Sequence, residues 1–97
     1  MIEKKIKIRH KNGIHMRPCM LITDTAVQFK SDIKISKGDQ VADARSIMQT
    51  TMLAAAQGEE ITLRIDGEDE QKAFEAMEKL ILHDLDIILE REEKKRR

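Results

Sequence analysis

The sequence predicts an α+β open-faced β-sandwich, a four-stranded antiparallel sheet with three helices on one face in the order βαββαβα. Three observations predict it. Short runs in which apolar and polar residues alternate fall at residues 2–8, 33–35 and 61–65. Longer runs with apolar residues every three or four positions lie between and after them. Turn-forming pairs, among them Asn12-Gly13, Gln57-Gly58 and Asp66-Gly67, separate the two kinds. Strands with a single apolar face need helices on one side only, which leaves the other side of the sheet to water.

Each element has its own signal. Ile2, Ile6 and Ile8 share one parity with charged residues between them, as in a half-buried strand. Asn12-Gly13 marks a sharp turn. From Met16 to Phe29, residues Leu21, Ile22, Thr25, Ala26 and Phe29 recur at helical spacing, and Ser31-Asp32 breaks the run. Ile33-Lys34-Ile35 alternates, and Lys37-Gly38-Asp39 is a hairpin turn into a strand at Gln40–Asp43. A short helix spans Ser46 to Ala56, with Gly58 supplying a left-handed stop. Ile61, Leu63 and Ile65 form a further strand. Glu68 to about Leu89 carries Ala73, Phe74, Met77, Leu80, Ile81, Leu85 and Ile88 at helical spacing. Its acidic start and basic end both suit the helix dipole.

Composition narrows the function. A chain of 97 residues is one domain, expected over 1–89 with a charged, solvated tail at 90–97. A domain of this size has a thin core, buries only about 60–65% of its unfolded surface, and puts chemistry at the surface rather than in a deep pocket. Eighteen basic and eighteen acidic residues cancel, leaving no net field for nucleic acid or anionic lipid. Phe29 and Phe74 are the only aromatic residues, which argues against base stacking. The single cysteine, Cys19, excludes an internal disulfide and fits a reducing compartment. No apolar run is long enough to span a membrane, and Met1 to Asn12 is too charged for a secretory signal, so a cytoplasmic protein is expected.

The chemistry concentrates in Asn12-Gly13-Ile14-His15-Met16-Arg17-Pro18. Pro18 sits in the first turn of a helix, where its missing N–H costs nothing. A helix start normally carries Ser, Thr, Asp or Asn to accept bonds from the orphan amides. His15 holds that position here and caps poorly, so the amides of Met16 and Arg17 are left for an outside acceptor. Histidine is a nucleophile near neutral pH, and Arg17 with the helix start offers donors to phosphoryl oxygens. Each helix-end contact is worth about 0.3–2 kcal/mol, enough to hold a transferable group without trapping it.

The run Gly13-Ile14-His15-Met16-Arg17-Pro18 resembles the phosphohistidine signature of HPr, the phosphocarrier of the bacterial phosphoenolpyruvate:sugar phosphotransferase system. The resemblance extends from residue 1 to about 88. It includes a second landmark at Arg45-Ser46-Ile47-Met48 and the turns at Gln57-Gly58 and Asp66-Gly67. It implies a stoichiometric relay, not an enzyme with its own substrate pocket. His15 would accept a phosphoryl group on Nδ1 from phosphorylated Enzyme I and donate it to the IIA component of a sugar permease, while Arg17 balances charge. It further implies that Ser46 is the target of an ATP-dependent HPr kinase/phosphorylase, a change that directs the protein to a transcriptional regulator. Met20, Ile47 and Met48 would dock partners. No cofactor, metal, nucleic acid or membrane is implied, and any magnesium belongs to the partner's chemistry.

Plainer roles stand beside these. Ser46-Ile47-Met48-Gln49 is expected to be a capping box, serine and glutamine each bonding the other's backbone amide. Ile47, Met48 and Met52 are core-type residues, but a helix this short cannot turn all three inward, and an exposed apolar patch signals docking. Thr51 stands where the family commonly has an apolar residue, and Met16, Cys19 and Met20 replace smaller or more polar types. Cys19, four residues after His15, shares a helix face with it, yet a closed metal site needs about four ligands, and packing is favoured. His10 and His83 read as ordinary surface or boundary residues. Ile87, Ile88 and Leu89 carry the last helix past the usual family end, as packing or as a self-association contact. Two other functions are weighed: a binding module regulated through Ser46 without a part in sugar transport, and a structural subunit resting on the long last helix.

Overall fold

A computed structural model of the chain describes residues 1–8, 16–53 and 56–84. Within them run β1 (Ile2–Lys7), α1 (Met16–Ala26), β2 (Asp32–Lys37), β3 (Gln40–Asp43), α2 (Ile47–Leu53), β4 (Glu60–Asp66) and α3 (Glu70–Lys79). A π-helical turn, Leu80–Asp84, continues α3. The order is the expected βαββαβα. The turn at Asn12-Gly13, His10, Leu85 to Leu89 and the tail at 90–97 lie outside the described residues.

The four strands form one antiparallel sheet in the order β1-β4-β2-β3. Registers such as Ile6↔Ile61, Ile35↔Leu63 and Ile35↔Ala42 place the apolar parity of every strand on one face. Strand pairing runs past β1, since the Ile8 amide donates to the Glu59 carbonyl and the Gly58 amide to the Ile8 carbonyl, both at 2.9 Å. The core lies between that face and the helices. Ile6, Ile8, Ile33, Ile35, Ile61, Leu63 and Ile65 come from the sheet side, and Cys19, Ile22, Ala26, Leu53, Ala73, Met77, Leu80 and Ile81 from the helices. Full burial of a Leu, Ile or Met side chain contributes about 1.5–3 kcal/mol, so this cluster carries most of the stabilisation.

The open face is polar and paired. Arg64 lies 3.4 Å from Glu3, and Lys34 lies 3.4 Å from both Asp32 and Asp43. Partial burial opposes the Lys34 charge, but the two carboxylates outweigh it and raise its pKa. Lys4 shares the inward parity of Ile6, yet β1 is an edge strand, and its amine escapes the core to pair with Glu78 on α3.

Three boundaries differ from expectation. α1 ends at Ala26 rather than Phe29; the Phe29 amide donates to the Ala26 carbonyl in the following turn, and its ring packs against the core edge. α2 runs from Ile47 to Leu53, with Ser46 as the residue before it and 54–55 outside the described residues. α3 begins at Glu70 with Asp69 as its N-cap; the Asp69 carbonyl accepts the Ala73 amide at 3.0 Å, while its side chain turns to the loop that follows α1. There the Asp69 carboxylate accepts bonds from the Ser31 hydroxyl and the amides of Ser31 and Lys30. Led by the Ser31 hydroxyl, these donors hold its pKa at about 2, against an ordinary 3.8. The Arg45 guanidinium donates to the carbonyls of Phe29 and Ser31. Gly67 completes the junction: a Cβ there would lie 2.6 Å from the Ser31 Cα, a clash no ordinary side chain could avoid.

Candidate functional site

Two helices frame the site. α1 starts at Met16, one residue after His15, and has no acidic residue in its first turn. Its leading amides are unpaired within the helix by geometry, and nothing acidic neutralises the positive end of its dipole. His15 itself lies outside the described residues; Met16 and Arg17 are placed as the first backbone units of α1, and their side chains are outside the description. Pro18 and Cys19 follow, both fully buried. Cys19 therefore packs as a small apolar residue, and the described residues contain no group of three or more metal-type ligands. His83 is exposed.

α2 packs against α1. The Thr23 hydroxyl donates to the Ala44 carbonyl at 3.0 Å, anchoring the middle of α1 to the segment that leads into α2. One helical turn before Thr23 stands Met20, 37% exposed. Thr50 and Leu53 turn inward from α2, while Ile47, Met48 and Met52 stay at the surface, Met48 at 74% exposure. Ile47, Met48, Thr51 and Met52 line a shallow apolar groove. Thr51 presents less polarity than its type suggests, since its hydroxyl donates back to the Ile47 carbonyl at 2.7 Å. The docking residues expected from sequence, Met20, Ile47 and Met48, are thus surface residues on two adjoining helices. Met52, weighed from sequence with Ile47 and Met48 as an apolar set too large to turn wholly inward, joins them in the groove, four residues from Met48 on the same face.

Ser46 caps α2 from the position before it, but the reciprocal capping box does not form. Ser46 Oγ accepts the Gln49 amide at 3.2 Å. The Gln49 side chain reaches past Ser46, and its Oε1 accepts the Asp43 amide at 2.9 Å. The Ser46 amide is already committed to the Asp43 carbonyl at 2.9 Å. β3 is an edge strand, so the outward amide of Asp43 lacks a strand partner, and the glutamine supplies one. Asp43 is also held ionised: its carboxylate accepts the Arg45 amide at 3.0 Å and faces Lys34, which together lower its pKa. The Arg45 guanidinium points away from Ser46, toward the Phe29 and Ser31 carbonyls.

Comparison with known proteins places this arrangement. Residues 2–82 match the family model described as the PTS HPr component phosphorylation site. The phosphocarrier protein HPr of Neisseria meningitidis serogroup B is 43% identical over 81 residues, spanning 84% of this chain and 91% of that protein. The HPr-like protein Crh of Bacillus subtilis is 39% identical over 77 residues, covering 79% and 91% of the two chains. The crystal structure of HPr from Thermoanaerobacter tengcongensis superposes with a TM-score of 0.79 at 38% identity, over 84% of this chain and 91% of that one. The chain belongs to the HPr family of phosphocarrier proteins of the phosphotransferase system.

Proposed function

We propose that the chain relays a phosphoryl group, taking it from phosphorylated Enzyme I on His15 and passing it to a IIA component during sugar uptake. The observation that carries the proposal is the pairing of a histidine one residue before α1 with a helix start that has no acidic residue of its own. Transfer is in-line between two histidines. The domain supplies position and charge balance: the orphan amides of Met16 and Arg17 would serve as donors to the phosphoryl oxygens, and the positive charge of Arg17 would balance theirs. The protein acts as a stoichiometric carrier, phosphorylated and dephosphorylated in turn, as its membership of a phosphocarrier family supports. Met20, Ile47 and Met48 dock Enzyme I and IIA. We place its site of action in the cytoplasm; no helix among the described residues is long and apolar enough to cross a membrane. The carrier domain spans 1–89, with 90–97 as its charged tail.

A second reading has its own support, because relatives named Crh, HPr-like rather than HPr, match about as well. In it, Ser46 phosphorylation by an HPr kinase/phosphorylase governs binding to a regulator, and sugar transport plays no part.

The test is the intact mass of the protein after phosphoenolpyruvate and purified Enzyme I, before and after brief acid. One acid-labile phosphoryl group, absent from His15→Gln, is expected. No mass gain with a competent Enzyme I overturns the relay. ATP-dependent, acid-stable phosphorylation of Ser46 would then be the activity to pursue.

A further inference from the structure

The chain has six methionines, and the fold treats them unequally. Met77 is fully buried under α3, whereas Met48 and Met52 are 74% and 71% exposed, more than any other large apolar side chain among the described residues. Four residues apart on α2, they share a face and line one groove with Ile47 and Thr51. Met52 extends into an adjoining hollow with Val41 and Gln49. Neither lining includes a charged side chain, so the patch offers partners apolar contact, and thioethers carry much of it.

Thioethers are also the apolar groups that peroxides attack, and susceptibility follows exposure. Neither methionine supports the core; Thr50 and Leu53 fill the inward side of α2. Among the other sulfurs with described side chains, Cys19 and Met77 have no exposed surface, Met20 is 37% exposed, and Met1, at 62%, lies beside Arg64 and outside the groove. Oxidation at Met48 and Met52 therefore changes the chemistry of the surface while leaving the fold intact.

We propose that Met48 and Met52 form a reversible oxidation site that disables docking at the α2 face. The oxidant is hydrogen peroxide. Each sulfur attacks one peroxide oxygen, the O–O bond breaks, an S–O bond forms, and the second oxygen departs as water. Sulfur loses two electrons and the peroxide gains them. The sulfoxide is polar and chiral, so a dry methionine contact becomes one that holds water. Methionine sulfoxide reductases reverse the step with two electrons from a dithiol, which becomes a disulfide while the oxygen leaves as water. The consequence for transfer rests on the relay reading above.

The experiment exposes the full chain to limiting hydrogen peroxide and assigns each added oxygen by tandem mass spectrometry. Phosphoryl acceptance from Enzyme I is measured beside it. Met48 and Met52 are expected to oxidise well before the less exposed Met20 and the buried Met77 and Cys19, with an unchanged thermal melt. The kcat/KM for acceptance is expected to fall about tenfold, equivalent to about 1.4 kcal/mol, and to recover after reductase treatment. A Met48→Leu, Met52→Leu double variant, compared only with its own untreated rate, should lose nothing on peroxide treatment. Equal oxidation of Met77 overturns the site. Complete sulfoxidation of the pair at an unchanged rate overturns the switch, as does an equal peroxide loss in the double variant. If untreated protein accepts no phosphoryl group from a competent Enzyme I, the relay reading fails instead, and the proposed switch fails with it even where the oxidation map holds.

Discussion

Around Ser31 the molecule is tied shut, and along the outer face of α2 it is left open. At the first place, the Asp69 carboxylate, two backbone amides, the Ser31 hydroxyl and the Arg45 guanidinium are joined across three segments distant in sequence. At the second, apolar side chains stand in water with no bond between them. The junction spends its polar groups on one another and fixes how α1, β2 and α3 meet. The α2 face makes no such commitment and is the surface proposed above to dock partners. Changes at the junction should act on stability and leave transfer alone; changes on α2 should do the reverse.

The largest break in that contrast is Gly67→Ala. The added Cβ would press on the Ser31 backbone at 2.6 Å, and the cost should be about 2–3 kcal/mol of unfolding free energy, read by urea titration. The portion that folds should still accept a phosphoryl group at the normal rate. Met48→Asp should invert the result. A charge in an uncharged groove should lower kcat/KM for transfer from Enzyme I about tenfold, while stability stays within about 0.5 kcal/mol, measured on one sample by both assays. Ser46→Asp should lower the same rate severalfold without unfolding the domain, because Arg45 is turned away and the neighbouring Asp43 adds charge of the same sign. Unchanged kinetics there would remove the regulatory role of Ser46.

The smallest effect sharpens the junction's side of the comparison. Asp69 is held near 2 when folded, against 3.8 ordinarily, so it binds its proton more readily in the unfolded chain. Its contribution is complete above about pH 4 and is lost as pH falls toward 2. Asp69→Asn should lower stability at neutral pH and flatten the decline between pH 4 and 2, followed by urea midpoints. An acid limb identical to that of the parent protein would show that Asp69 does not carry it.

Much of this was legible in the chain. The alternation of Ile61, Leu63 and Ile65 names the buried face of β4, and the register with Ile6 and Ile35 agrees with it. Lys37-Gly38-Asp39 announces the β2–β3 hairpin, and Gly38 takes the positive φ of 59° that its turn requires. The Gly13–Pro18 signature identifies the family, and the match over residues 2–82 confirms it. Such signals are local: period, turn chemistry and motif spacing each depend on residues a few positions apart.

Tertiary structure decided what local signals do not contain. Ser46 and Gln49 have the spacing of a capping box, yet the edge of β3 leaves the Asp43 amide open and captures the glutamine. Asp69 stands at the cap position of α3, but its carboxylate is taken by Ser31, thirty-eight positions earlier, instead of the helix's own amides. Gly67 passes for an ordinary turn glycine until the Ser31 backbone is set against it. Met52 has core chemistry and becomes surface, because Thr50 and Leu53 already fill the inward side of a seven-residue helix. The sequence by itself determined which residues could form strands, helices and the phosphoryl-accepting motif, because those choices rest on neighbours along the chain. Which polar groups found partners, and which apolar groups stayed at the surface, was decided only when distant segments competed for the same donors and the same core volume.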